Sequence, residues 1–159
     1  MFKHEPVLLK EVLEIFSRLK KGSLIVDCTL GKGGHSKELL KRGFRVIGID
    51  KDPDAIKAAK ENLEGFKQIV FVNDDFVNLK EILDKLDVKT IDGVLMDLGV
   101  STYQLEERER GFSFEGPLDM RMDRRQELTA EKVLNEYPEQ ELTKILFDYG
   151  EKAFARRIA

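Results

Sequence analysis

The chain alternates short apolar runs with stretches in which apolar residues return every three or four positions. The runs at 24–27, 44–49, 68–72 and 91–96 are rich in Ile, Val and Leu and read as strands. Ahead of them, residues 6–19 place Leu8, Val12, Ile15, Phe16 and Leu19 on one helical stripe. Pro6 suits the first turn of that helix, and Lys20, Lys21 and Gly22 close it. His4, just before it, reads as a capping or solvated histidine, with a ligand contact as the alternative. After the second run, Asp52 caps a helix with Pro53 at its first position and Ile56, Ala59 and Leu63 on its buried face. Asn78 and Glu81 predict a capping box for a helix carrying Leu79, Ile82, Leu83 and Leu86. Such alternation predicts an α/β fold with a parallel, doubly wound sheet whose strands are covered on both faces.

From residue 110 the period fades. Residues 110–123 form a long loop mixing glycines, both charge signs and the apolar Phe112, Phe114, Leu118, Met120 and Met122. A loop of this length is functional or disordered, and its apolar content argues against disorder. Two short helices follow, one capped by Thr129 (Ala130, Val133, Leu134) and one starting at Pro138 (Leu142, Ile145, Leu146). There is no internal repeat and no low-complexity linker.

Candidate chemistry gathers where the runs end. The first passes through Asp27, Cys28 and Thr29 into a turn with glycines at 31, 33 and 34, and then into a helical pattern. A glycine turn between strand and helix lets the backbone approach a ligand closely. The dinucleotide fingerprint wants a third glycine where Ser36 stands, and the segment reads better as Asp-x-Thr-x-Gly-x-Gly. That pattern resembles the first motif of the S-adenosylmethionine (AdoMet) methyltransferases. Asp27 is placed to hold the loop or to accept from a ligand amine. Asp50 ends the second run nineteen residues beyond Gly31, near the spacing of an acid that accepts from ribose hydroxyls. Asp75 and Phe76 follow the third run: a carboxylate and an aromatic that suit an adenine, or a turn residue and the first apolar residue of a helix. Asp97 ends the fourth. In doubly wound sheets ligands bind beyond these strand ends.

Charge and composition narrow the picture only a little. The 159 residues carry a net charge of −3, so a nucleic-acid surface must be local if it exists. Arg108, Arg110, Arg121, Arg124, Arg125, Arg156 and Arg157 are interleaved with acids, which suits an RNA surface or a solvated charged face. The single cysteine, Cys28, excludes an internal disulfide and suits a reducing cytoplasm. Charged residues at the start argue against a signal peptide, and no apolar run is long enough to span a bilayer. The 36% charged content hints at a thermophile.

Three further segments are more specific: Asp97-Leu98-Gly99-Val100-Ser101-Thr102-Tyr103-Gln104-Leu105, Arg110-Gly111-Phe112-Ser113-Phe114, and Pro117-Leu118-Asp119-Met120-Arg121-Met122-Asp123. With Gly31-Lys32-Gly33-Gly34-His35-Ser36, Gly48-Ile49-Asp50-Lys51-Asp52 and the closing Tyr149-Gly150-Glu151 and Phe154-Ala155-Arg156-Arg157-Ile158-Ala159, the chain resembles the bacterial 16S ribosomal RNA cytosine-N4 methyltransferases (the MraW or RsmH family) along its whole length. The resemblance implies a Rossmann-like class I AdoMet-dependent methyltransferase core over 1–100, its parallel sheet incomplete. A loop and small helical insertion on the substrate side follow over 101–159. It implies AdoMet as cofactor, with contacts from Gly33, Gly34, His35, Asp50, Phe76, Asp97 and Gln104, and no metal. The expected substrate is the exocyclic amine of a cytidine in the decoding region of the small-subunit RNA, met in the free RNA or the assembled small ribosomal subunit. The expected location is the cytoplasm.

Asp97 is the candidate for the catalytic acceptor of the target amine, but it departs from the Asp/Asn-Pro-Pro-Tyr sequence of many amino-methyltransferases, and a cofactor role is the alternative. Phe112 and Phe114 suit an unstacked base, or packing within their own loop. Family members are longer, with later strands completing the sheet. The chain is therefore expected to be an N-terminal portion or a shortened gene, to self-associate through an exposed sheet edge or hold 98–159 loosely, and to transfer methyl groups poorly alone. The rival readings are a nicotinamide-dependent oxidoreductase on the same fold and a non-catalytic AdoMet- or RNA-binding fragment.

Overall fold

The computed structural model describes residues 6–159, so His4 lies outside the described residues. The chain divides into two compact units, Met1–Gly99 and Val100–Ala159. In the first unit the four apolar runs form strands β1 (Leu24–Asp27), β2 (Arg45–Ile49), β3 (Ile69–Val72) and β4 (Gly93–Leu95). They pair in parallel in the order β3-β2-β1-β4. Between them run α2 (Gly34–Lys41), α3 (Pro53–Asn62) and α4 (Leu79–Lys85), with α1 (Leu9–Phe16) ahead of β1. This is the doubly wound α/β pattern that the alternation predicts.

Successive strand residues point to opposite faces, and the register keeps like with like. Ile25 lies beside Val46 and faces a core with Leu13, Phe16, Leu39, Leu40, Ile56, Ala59 and Leu63. Val26 lies beside Ile47 and faces a second core with Leu24, Cys28, Ile49 and Ile82. The two central strands are thus covered on both sides. On the outer strands Val70 and Val94 are exposed, so full coverage holds for β1 and β2 but not for β3 and β4. β4 is an edge of the described sheet.

Local signals hold where the partner is local. The Asp52 carboxylate accepts from the Asp54 N–H at 3.0 Å with Pro53 at the first helical position, and Ile56, Ala59 and Leu63 are buried. Three expectations change. The first helix begins at Leu9 and excludes Pro6, because the Val7 carbonyl accepts from His35 Nε2–H at 2.9 Å and Leu8 turns left-handed at φ 49°. The Asn78–Glu81 capping box does not form. Asn78 Nδ2 donates to Asp74 Oδ1 at 2.8 Å, and a short 3₁₀ turn over Phe76–Asn78, capped by Asp75, enters α4 instead. The fourth strand is shorter than 91–96, since the Asp92 carboxylate takes the Leu24 N–H at 2.7 Å before the ladder begins.

The second unit carries α5 (Thr102–Glu106), a 3₁₀ turn at Arg108–Arg110, then α6 (Ala130–Glu136), α7 (Glu139–Asp148) and α8 (Ala155–Ile158). Ser101 and Gln104 form a reciprocal capping box on α5, a signal present in the sequence but masked there by the more specific motif around it. Thr129 caps α6 through the Lys132 N–H at 3.1 Å, and Pro138 precedes α7. The segment between Arg110 and Gln126 has no regular structure, yet arginines fasten it. The buried Arg110 donates to the Arg121 and Met122 carbonyls, and Arg121 to those of Arg124 and Gln126. Arg121 and Arg125 also fork onto Asp119 and Asp123.

Close packing at Gly48 gives a direct test of the sheet. A Cβ there would lie 2.7 Å from Leu30 Cδ1 and 2.8 Å from Cδ2, inside the core beneath the glycine loop. Gly48→Val should lower the urea unfolding free energy by about 1–3 kcal/mol, the cost of overpacking, whereas an unchanged midpoint would mean that Leu30 has room to move.

Candidate cofactor site

The rim at the C-terminal ends of the strands is built around two carboxylates. Asp27 closes β1 and is only 1% exposed. Its Oδ2 accepts from Ser36 Oγ at 2.6 Å and its Oδ1 from the Thr29 N–H at 3.3 Å, so one side chain ties strand end, loop and helix start together. Burial pushes the Asp27 carboxyl above its ordinary 3.8, and the Ser36 and Thr29 hydrogen bonds oppose that rise. Of the two roles open to Asp27, holding the loop is the one the geometry displays. The neighbouring Cys28 thiol is pushed up to about 11 by burial and by the Asp27 charge, and so stays protonated.

Asp50 follows β2, where the spacing from Gly31 places it. Its Oδ2 accepts from the Gly31 N–H at 2.8 Å and its Oδ1 from the Asp52 N–H at 2.9 Å. Its own carbonyl accepts from Asn73 Nδ2 at 2.8 Å, which binds the β3 loop to the same point. Burial raises the Asp50 carboxyl too. Each carboxylate oxygen retains a second lone pair, so two acceptor positions remain for hydroxyls. At the edge strand, the Asp97 N–H donates to Thr29 Oγ1 at 2.7 Å, while the residue is exposed. The main chain of Asp97 is therefore fixed and its carboxylate stands in solvent.

The glycines of the loop divide by what their missing side chains would meet. A Cβ on Gly33 would lie 2.7 Å from Leu63 Cδ1, and one on Gly34 2.7 Å from Pro6 Cγ, so both permit close packing. Gly33 also needs its φ of +78° to cap α2. Gly31, at φ +53°, would meet only the Thr29 carbonyl oxygen at 4.0 Å and leaves open space above the loop. The loop's amides are largely spent: Gly31 N–H on Asp50, and Gly33 N–H on the Leu30 carbonyl at 2.7 Å. A pyrophosphate needs free amides and positive potential there. This loop offers a carboxylate instead, which suits a ligand that carries hydroxyls and positive charge.

The other candidates fall in several settings. His35 is buried, with Nε2 committed to Val7. Phe76, half-buried, packs on the second core just beyond β3, and Asp75 beside it caps the short turn and lies 3.7 Å from Lys51 Nζ. Gln104 belongs to the second unit, where it completes the capping box. Thr29, Ser36 and Asn73 join the strand ends. Thr29 and Ser36 stand inside the glycine-loop motif with no role assigned to them there, and Ser36 and Asn73 bond acids nine and twenty-three residues away, so no local spacing marks them. No helix of the described residues is long and apolar enough to cross a membrane.

A parallel sheet with an acid beyond each of its middle strands and a glycine turn after the first is the architecture of the class I AdoMet methyltransferases. Two solved structures share that fold. One is an rRNA methylase from Streptococcus thermophilus, at TM-score 0.50 and 21% identity, covering 69% of this chain and 64% of that one. The other is a candidate methyltransferase from Streptococcus mutans in complex with SAH, at TM-score 0.50 and 22% identity, covering 64% and 56%. The family is narrower than the fold: residues 1–159 match the MraW methylase family, and the chain belongs to it. Among curated relatives it is 51% identical to a ribosomal RNA small subunit methyltransferase H of Clostridium botulinum (strain Kyoto / Type A2), over 99% of this chain and 52% of that protein. It is 48% identical to the protein of that name from Halothermothrix orenii, over 100% and 52%. The chain spans about half the length of the curated relatives it matches.

Ser36→Ala removes the short hydrogen bond to a buried carboxylate and should destabilise the protein by about 1–3 kcal/mol in urea unfolding, with no loss if water replaces the hydroxyl. The raised carboxyls also fix a direction with pH. Asp27 and Asp50 hold their protons more tightly when folded, so their contribution to stability is fully present below the ordinary 3.8 and declines as pH rises through the raised values. Asp27→Asn removes one of these titrations. Its urea midpoint should fall less steeply than that of the unaltered protein from pH 3.8 toward neutrality.

Proposed function

We propose that the protein is an AdoMet-dependent methyltransferase acting on the N4 amine of a cytidine in the decoding region of 16S ribosomal RNA. In this reading, residues 1–100 bind the cofactor and 101–159 lie on the substrate side. The observation that carries the cofactor is the Asp50–Gly31 bond. It fills the loop amide that a dinucleotide phosphate would need and sets a carboxylate with spare acceptor positions beside the open face of Gly31. The names of the relatives support the RNA substrate, and the partner is the small ribosomal subunit or its RNA in the cytoplasm.

Bound AdoMet supplies an activated methyl group on a sulfonium. The protein's part is to hold and orient. Asp50 would accept from the ribose hydroxyls, Phe76 would cover the adenine, and Gly33, Gly34 and His35 would complete the contacts made by the first unit. Asp27 keeps the loop in one conformation through Ser36 and Thr29. Cytosine N4 is a weak nucleophile because its lone pair is delocalised into the ring. A carboxylate accepting one amine N–H localises that pair and then takes the proton released as the new N–C bond forms. Asp97 fits this role, since its backbone is held by Thr29 and its carboxylate is exposed. Most of the rate enhancement then comes from positioning.

Calorimetry with AdoMet and with NAD tests the cofactor. AdoMet should bind and NAD should not; binding of NAD alone would make the protein an oxidoreductase. Asp50→Asn, which keeps one acceptor, should weaken AdoMet by roughly ten- to a hundredfold, as expected for about 1.5–3 kcal/mol of hydrogen bonding to a charged group. For the reaction, methyl groups from labelled AdoMet should enter the RNA of small ribosomal subunits. Asp97→Asn should lower that turnover far more than it lowers AdoMet affinity. Equal losses in both would assign Asp97 to the cofactor.

A further inference from the structure

The irregular segment of the second unit is a closed loop with a fixed tip. Its ends meet where the Met120 N–H donates to the Arg110 carbonyl at 3.0 Å, as in an Ω-loop. Two glycines make the closure possible. A Cβ on Gly111, at φ +74°, would lie 2.3 Å from the Pro117 carbonyl oxygen, and one on Gly116, at φ +118°, 2.3 Å from that of Arg108. Arg108 pairs with Glu115 at 2.8 Å across the neck, and Ser113 Oγ donates to the Glu115 carbonyl at 2.7 Å. Beyond the neck, Arg121 forks onto Asp119 and holds its carboxyl at about 2, so this tie persists through the physiological range. On this frame the two aromatics separate: Phe112 is half-buried, and Phe114 is fully exposed.

A fully exposed phenyl ring on a fastened loop offers a flat apolar face without the ordering cost that a mobile loop would carry. The charges around it cancel, Arg108 against Glu115, Arg121 against Asp119 and Arg125 against Asp123, so the tip neither gathers nor repels phosphate. Such a ring presents a surface on which an unpaired base can stack. We propose that Phe114 is a stacking platform for an unpaired base of single-stranded RNA, and that it acts by ring overlap rather than by charge. The proposal rests on the RNA-substrate reading above and assigns to Phe114 alone a role that the sequence leaves open between Phe112 and Phe114. The fastening arginines are correspondingly parts of the loop.

The chain contains no tryptophan, so Phe114→Trp places a single indole at the tip. Its emission should be quenched by a single-stranded oligocytidylate and unaffected by the same strand paired with oligoguanylate, whose bases are already stacked. Phe114→Ala should bind the single strand about tenfold more weakly, in the range for loss of one base–aromatic stack, with an unchanged slope against salt. Phe114→Leu should be equally weak, because it keeps the apolar volume and loses the ring. Native-like affinity in Phe114→Ala, rescue by Phe114→Leu, or no measurable RNA binding by the unaltered chain would each overturn the proposal. So would an indole signal that changes with protein concentration alone, which would mark the tip as a contact between copies. AdoMet calorimetry on the same preparations separates the two readings. Normal AdoMet binding without quenching removes the stacking role and leaves the methyltransferase reading in place, whereas a failure to bind AdoMet strikes the latter whatever the indole reports.

Discussion

A charged group that is taken out of water must be met by hydrogen bonds, and the first unit is arranged around one such group. Asp27 sits at the end of the central strand with almost no exposure, where an unmet carboxylate would cost several kcal/mol. The Ser36 hydroxyl and the Thr29 amide meet it, and in doing so they give the chain from 28 to 36 one conformation. Everything else on the rim is hung from that segment. The Thr29 hydroxyl oxygen accepts from the Asp97 N–H, the Gly31 N–H donates to the Asp50 carboxylate, and the Asp50 carbonyl accepts from Asn73 Nδ2. Four strand ends, each free to fray alone, are joined into a single polar frame.

The parts legible in the sequence are those whose cause lies within a few residues. The β2–α3 junction is the clearest case: Asp52 and Pro53 can do little else in that order, and the cap forms as written. The parallel, doubly wound sheet follows from alternation, and the placing of Asp50 from its distance to Gly31. Where a distant group competes, local rules fail. His35 takes the Val7 carbonyl and moves the start of the first helix from Pro6 to Leu9, across twenty-eight residues. Asp74 outcompetes the helix for Asn78 and dissolves an expected capping box, while the real box, Ser101 with Gln104, lies inside a segment whose chemistry is the stronger signal. Thr29 and Ser36 are illegible for another reason. A hydroxyl can bond almost anything, so its partner is chosen by the fold.

The loop of the second unit shows the same limit more sharply. Guanidinium groups bonded to carbonyls have no period, and a run of arginines among acids looks the same whether it is solvated, bound to phosphate or folded inward. Here much of it is folded inward. Arg110 and Arg121 do for this segment what a strand ladder does elsewhere, giving carbonyls outside any regular element their donors. One terminal nitrogen reaches both carbonyls in each case, Nη2 of Arg110 and Nη1 of Arg121, while Nε and Nη2 of Arg121 fork onto Asp119, a division of donors that a single ammonium does not offer.

Cys28 gives the frame a consequence of a different kind. Its thiol is buried beside the Asp27 carboxylate and is held protonated, which leaves the folded protein almost inert toward oxidants and alkylating reagents. It is also the chain's only sulfhydryl, so any modification can occur only while the segment after β1 is open. The rate at which a thiol reagent consumes the protein is therefore a clock for that opening. Anything that settles on the rim and holds the segment shut will slow it.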